Sequence, residues 1–331
     1  MVFDDTLVQF ADTDQQWSGI LIGNGTSRAV ADSFAYTSLY DKACSDDIAH
    51  PLVQTEQNLF LALGTRNFEQ VLSALSTAKL VNDAFSQSST QIVESYERIR
   101  LSLVEAVHSV HVPHDQVPEE TLAGIRSALL DYDFVYSTNY DLLVYWAVMQ
   151  GPDEFRDYFF SGSVFDVGNT EIWHKSTKVL YLHGGLHLYR TLVGQTFKRT
   201  AGPYGNLLDS FATPIPGQEG AVPLFITEGS SGDKLRSIYT SDYLSFGYTQ
   251  LSRHSGPLVI FGHSLDNEFD RHLTVAIRGS SSKVLGIGIY PANAEITVAE
   301  LKAKWTAKFP SFELFFFDSS THPLGNPTLH V

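Results

Sequence analysis

The stretch Phe134-Val135-Tyr136-Ser137-Thr138-Asn139-Tyr140-Asp141-Leu142 runs from three apolar, β-favouring residues straight into a polar Asn-Tyr-Asp turn. Farther along, Val179-Leu180-Tyr181-Leu182 ends in the same abrupt way, in His183-Gly184. A short, nearly continuous apolar run marks a strand covered on both faces, as in a parallel sheet flanked by helices. Open α/β sheets of that kind bind ligands outside the carboxyl ends of their strands. The two endings therefore put an amide, a carboxylate and an imidazole on one rim.

Runs of the same kind recur at Gly19–Ile22, Leu258–Phe261, Val284–Ile289 and residues 313–317. Together they predict an α/β protein with a Rossmann-like parallel sheet of about six strands. Between the first two strands, Phe68, Val71, Leu72 and Leu75 follow helical spacing, as do Ile92, Tyr96, Ile99 and Leu103. Residues of about 45–130 thus read as a helical insertion. A second stretch, about 187–250, is rich in Gly, Pro, Ser and Thr, including Pro214-Ile215-Pro216-Gly217 and Glu228-Gly229-Ser230-Ser231-Gly232. It reads as a loop-rich insertion, and loops of that length are usually lids or binding loops. With no internal repeat and no clean linker, residues 1–331 are expected to form a single domain.

Each strand ending carries a functional reading beside a plainer one. Gly23-Asn24-Gly25-Thr26-Ser27-Arg28 is a Gly-x-Gly turn opening a helix, where bare backbone and free amides suit a pyrophosphate. The third glycine of the usual dinucleotide fingerprint is missing, so a simple tight turn fits as well. Asn139 and Asp141 would serve a ligand or cap the next helix. His183 would be a catalytic imidazole or a satisfied histidine at a strand end. In Gly262-His263-Ser264-Leu265-Asp266, small residues admit a phosphate or ribose and Ser264 and Asp266 offer hydrogen bonds, while the same residues would cap a helix from 268 to 277. His108, His111 and His114 recur every third residue, but Pro113 breaks the helix that would align them as metal ligands. No Gly-x-Ser-x-Gly elbow supports a serine hydrolase.

Bulk properties narrow the classes further. With 37 acidic and 22 basic residues the formal charge is −15, which opposes direct nucleic-acid binding. The single cysteine, Cys44, forms no internal disulfide and no cysteine-rich zinc site. The acidic start Met-Val-Phe-Asp-Asp-Thr is unlike a signal peptide, and no apolar run is long enough to span a bilayer. A soluble, cytoplasmic protein is expected, with no zinc or other metal and no membrane association.

In this order along the chain, Gly23-Asn24-Gly25-Thr26-Ser27, Phe68-Glu69-Gln70-Val71-Leu72, Ser137-Thr138-Asn139-Tyr140-Asp141, Leu182-His183-Gly184 and Gly262-His263-Ser264-Leu265 resemble the sirtuin-like superfamily. Within it they resemble specifically the bacterial sirtuin-like NAD⁺-consuming proteins of anti-phage defence. The blocks Ile226-Thr227-Glu228-Gly229-Ser230 and 259–265 look like a sirtuin-like family long catalogued as a domain of unknown function. The resemblance implies a sirtuin/deoxyhypusine-synthase-like fold that takes NAD as substrate. By carry-over, Gly23, Asn24, Gly25, Ser27 and Arg28 would line the phosphate loop. Thr138, Asn139 and Asp141 would face the nicotinamide ribose, and His183 would be the catalytic histidine. Gly262 and Ser264 would contact the adenosine half, and Tyr290 would border the adenine.

Two departures set this chain apart from deacetylating sirtuins. The four-cysteine zinc ribbon cannot form, and Asp32-Ser33-Phe34-Ala35-Tyr36 stands where deacetylases have Pro-Asp-Phe-Arg. The expected function is therefore an NAD⁺ hydrolase releasing nicotinamide and ADP-ribose, regulated as an antiviral effector. The resemblance also implies homo-oligomers and a partner ATPase or other defence-system protein. A non-catalytic NAD or ADP-ribose sensor and an ADP-ribosyltransferase are the alternatives.

Overall fold

The structure, a computed structural model, describes residues 3–34, 38–159, 163–168, 177–200, 207–208, 211, 220–226, 229–291 and 296–331. In chain order the first part contains β1 (Gly19–Ile22), α1 (Asn24–Val30), α2 (Leu39–Ala43), α3 (Gln54–Ala62), α4 (Phe68–Ala84), α5 (Thr90–Val110) and α6 (Glu119–Leu130). The middle contains β2 (Phe134–Ser137), α7 (Leu143–Met149), β3 (Phe155–Arg156), β4 (Thr177–Tyr181), β5 (Gly184–Arg190), β6 (Thr196–Lys198) and β7 (Val222–Phe225). The remainder is α8 (Ser231–Tyr239), α9 (Asp242–Ser252), β8 (Leu258–Phe261), α10 (Arg271–Gly279), β9 (Val284–Ile289), α11 (Val298–Lys308) and β10 (Glu313–Asp318).

Seven strands form one sheet in the order β10-β9-β8-β1-β2-β4-β3, and every pairing in it is parallel. The fold is α/β and Rossmann-like, with the six expected strands and one more. The seventh, β3, is a two-residue edge strand against β4, too short to leave a hydrophobic pattern. Ile20, Leu21, Ile22, Val135, Val179 and Leu180 have no exposed surface, which is why these runs are apolar at every position. The chain leaves β1 toward β2 on one side, and leaves β8 toward β9 on the other. The point where those connections diverge lies at the carboxyl ends of β1 and β8, the ligand crevice of open α/β sheets.

α4 lies against α5 and against β7. Phe68, Val71, Leu72 and Leu75 of α4 are buried, as are Ile99 and Leu103 of α5, with Ile92 and Tyr96 packed on the same core. Within 187–250, the described residues form the end of β5, then β6, β7, α8 and α9, and β6-β5-β7 make a separate antiparallel sheet. Among the quoted sequence motifs, residues 35–36, 214–217 and 227–228 lie outside the described residues. No helix among the described residues is long and apolar enough to cross a membrane.

Candidate functional site

The turns after β1 and β8 meet backbone to backbone. The Gly25 amide donates to the Gly262 carbonyl at 2.8 Å, and the Gly23 amide to Phe261 at 3.0 Å. A Cβ on Gly25 would sit 2.6 Å from the Gly262 Cα, and one on Gly262, whose φ is +63°, would sit 2.6 Å from the Thr26 amide nitrogen. The glycines that sequence assigned to a phosphate are thus required for the contact between the two turns. α1 itself is only seven residues long.

A buried hydrogen-bond chain joins α1 to the end of β2. The Ser27 hydroxyl donates to Asp141 Oδ2 at 2.5 Å and accepts from Asn139 Nδ2 at 2.8 Å. A hydroxyl has one proton to give, and here it goes to the carboxylate. Ser27 can then only accept from Asn139, which fixes the orientation of that amide. Asp141 Oδ1 meanwhile accepts from the Leu143 amide at 3.0 Å, at the start of α7. Asp141 therefore holds the start of α7 with one oxygen and Ser27 with the other. Its neighbour Leu142 donates its amide to His111 Nε2 at 2.9 Å, while His111 Nδ1 donates to the Val112 carbonyl at 2.7 Å. Burial pushes the His111 pKa down, so this histidine of the His108/His111/His114 series is a neutral structural support.

His183 follows β4 and is 3% exposed. Gly184 next to it has φ +75°, and a Cβ there would be 2.1 Å from the Leu224 carbonyl oxygen. Only glycine lets the chain turn from β4 into β5 at this point. His183 Nε2 lies 2.9 Å from His272 Nε2, on α10. His272 Nδ1 lies 3.0 Å from Ser231 Oγ, which also accepts the His272 amide at 2.7 Å. Burial lowers the pKa of His183 well below the ordinary histidine value, with Lys234 adding to the effect. It lowers those of His263 and His272 to about 4. Lys234 of α8 pairs with Asp270 at 3.0 Å.

His183, His263, Lys234 and Asp270 open on a cavity of about 750 Å³, within the size range of small-molecule and cofactor sites. Of the expected residues, Asn24, Thr138, Asn139, Asp141, His183, Gly262 and Ser264 line it. Ser27 stands directly behind Asn139 and Asp141. Gly23 and Gly25 form the contact between the turns, whereas Arg28 is exposed and Tyr290 is 64% exposed, neither on the cavity wall. Asp266 also lines the cavity, and its Oδ1 accepts the amides of Glu268 at 2.7 Å and Phe269 at 3.2 Å. That turn delays α10 to Arg271, three residues later than the sequence indicated.

Sequence reasoning missed Lys234, Asp270 and His272, and also Asp41 and Arg66, which line the cavity from the helical region. The Ser230 and Asp233 capping box at the start of α8 was a readable signal. It puts Ser231 and Lys234 on one helix face. Nothing local pointed to His272. No group of three or more His, Cys, Asp or Glu able to hold a metal ion occurs among the described residues.

A family model described as "Domain of unknown function (DUF4917)" matches residues 20–324, and the chain belongs to that family. No curated protein matches. Among solved structures, the chain is similar to a mutant of a Sir2 homologue in complex with ADP-ribose. The two share 12% identity at a TM-score of 0.37, over 95% of this chain and 91% of that chain.

Proposed function

We propose that this protein is an NAD⁺ glycohydrolase, cleaving the nicotinamide–ribose bond to give nicotinamide and ADP-ribose. The observation that carries the reading is the convergence of Asn139, Asp141 and His183 on one cavity at the divergence point of a parallel sheet. Asp41, Asp266 and Asp270, which line the same cavity, suit ribose hydroxyls, and Arg66 and Lys234 suit a pyrophosphate. The motif order gives the substrate: it resembles sirtuin-like NAD⁺-consuming proteins.

The C1′–N bond breaks with its electron pair passing to the pyridinium nitrogen, so nicotinamide leaves neutral and needs no general acid. Asn139 orients the ribose and water, and the Asp141 carboxylate stabilises positive charge developing at C1′. Water adds to C1′ and its proton passes to His183, which burial keeps neutral and therefore able to accept it. We place the protein in the cytoplasm as a single-domain effector of anti-phage defence by NAD⁺ depletion. It would stay inactive until an infection signal or a partner protein assembles it, since an uncontrolled NADase drains its own cell.

The test is nicotinamide release from NAD⁺ by the purified chain, alone and with the products of neighbouring genes. His183→Ala and Asn139→Ala are each expected to lower the rate at least about 100-fold. Near-wild-type turnover by either folded variant would refute the assignment. NAD⁺ binding without nicotinamide release would instead indicate a sensor, and labelled protein an ADP-ribosyltransferase. Cleavage is expected to survive exhaustive treatment with a metal chelator; loss of activity restored by one added metal would contradict this chemistry.

A further inference from the structure

His183 and His272 approach each other through the same ring atom, Nε2 to Nε2 at 2.9 Å. A contact of that kind holds one hydrogen, so one ring donates and the other accepts. Both histidines are buried, 3% exposed each, and both pKa values are depressed, so neither is an imidazolium at neutral pH. His183 Nδ1 makes no hydrogen bond among the described residues, and the ring borders the cavity. Behind His272, Ser231 Oγ is 3.0 Å from Nδ1 and already accepts the His272 amide. Ser231 can therefore take a second hydrogen, from Nδ1, or give its own.

We propose that His272, backed by Ser231, is a positioning residue that holds His183 in its base-competent tautomer. This rests on the hydrolase reading above. In that state His272 Nδ1–H donates to Ser231 Oγ, and His272 Nε2 accepts the Nε2–H of His183. The lone pair of His183 is then on Nδ1, the nitrogen left for the cavity. In the opposite tautomer His183 carries its hydrogen on Nδ1 and can accept nothing from water. When water adds to C1′, its proton goes to Nδ1 and the C1′–N electron pair goes to nicotinamide. The resulting imidazolium is held by the bond from Nε2–H to His272 and later loses its Nδ1 proton to solvent. The role parallels that of the carboxylate behind the histidine of a hydrolase triad, with a neutral acceptor in its place. Around the pair, Lys234 of α8 and His263 after β8 oppose the imidazolium, and Asp270 at the start of α10 favours charge on His272.

The experiment compares His272→Ala with His272→Gln, whose amide oxygen can reach the position of the lost Nε2 acceptor. His272→Ala is expected to lower kcat for NAD⁺ cleavage about 100-fold with KM within about threefold. His272→Gln is expected to keep kcat within about tenfold of wild type. Equal losses in both variants, or a loss confined to KM, would overturn the proposal. A second readout needs no turnover: ¹⁵N chemical shifts of ring-labelled His183 in the wild-type chain should report the Nε2–H tautomer, and the Nδ1–H tautomer would overturn the proposal. If the chain does not cleave NAD⁺ at all, the hydrolase reading fails while the tautomer measurement still decides this one.

Discussion

Ser27 carries one hydroxyl between two groups of the site, so its removal isolates what orientation contributes. Ser27→Ala takes the acceptor from Asn139 Nδ2 and the donor from Asp141 Oδ2. Both partners are buried, so each loses a bond that water cannot easily replace. A stability loss of about 1–3 kcal/mol is expected. NAD⁺ cleavage should fall at least about tenfold, because Asn139 is no longer held in one orientation. Urea denaturation and nicotinamide release on the same preparation check both numbers. Full activity would show that Ser27 does not set that orientation. Asn139, Asp141 and His183 were readable because each ends an apolar run, where chemistry must sit if it sits anywhere. The reason for Gly184 was not readable, because the obstruction is the Leu224 carbonyl on another strand.

Elements buried on both faces were legible, and those that bury charge were not. β1, β2, β4, β8 and β9 announce themselves because parallel strands under helices need apolar residues on both sides. The edge strand β10 is only half-buried and shows through its run of β-favouring residues, Leu314-Phe315-Phe316-Phe317. β5, Gly184-Gly185-Leu186-His187-Leu188-Tyr189-Arg190, is buried along its length, yet its His and Arg break the pattern. Arg190 can lie inside because Glu69, 121 residues away, accepts from Nε at 3.0 Å and from Nη2 at 2.5 Å. No local pattern carries that information. The pair fastens the first turn of α4 to the end of β5, and its carboxylate also suits a helix start. Glu69→Ala would leave the Arg190 guanidinium buried and unpaired, so a loss of about 3–5 kcal/mol is expected. Faster hydrogen exchange should appear in α4 and α5. A loss below about 1 kcal/mol would mean that Arg190 finds water or another partner.

At the scale of the whole molecule, burial has been applied to histidine repeatedly. Of the chain's twelve histidines, His111, His183, His187, His254, His263, His272 and His322 all have pKa values pushed down, in each case chiefly by burial. In the unfolded chain each would titrate near the ordinary value of about 6.5. Between that value and the folded one, the unfolded state binds more protons, so stability rises with pH across the window. The contribution is fully present above the ordinary histidine pKa and is lost as pH falls toward the folded values, about 4 for His263 and His272. Each such group adds up to about 1.4 kcal/mol per pH unit. Glu69, whose pKa burial raises, opposes them, but it is one group against seven. The lowered carboxylates Asp4, Asp83, Asp233, Glu105 and Glu300 act in the same direction only at lower pH. The denaturation midpoint should therefore fall steeply between pH 7 and pH 5, with proton uptake on unfolding measurable by calorimetry in two buffers. A midpoint constant across that range would contradict the burial of these rings. The same arrangement separates stability from catalysis. His183 stays neutral in the folded protein at pH 6, so NAD⁺ cleavage measured below the unfolding temperature should show no inflection near pH 6.5. An inflection there, carried by a well-folded protein, would mean that His183 is solvated and that the site is more open than its burial implies.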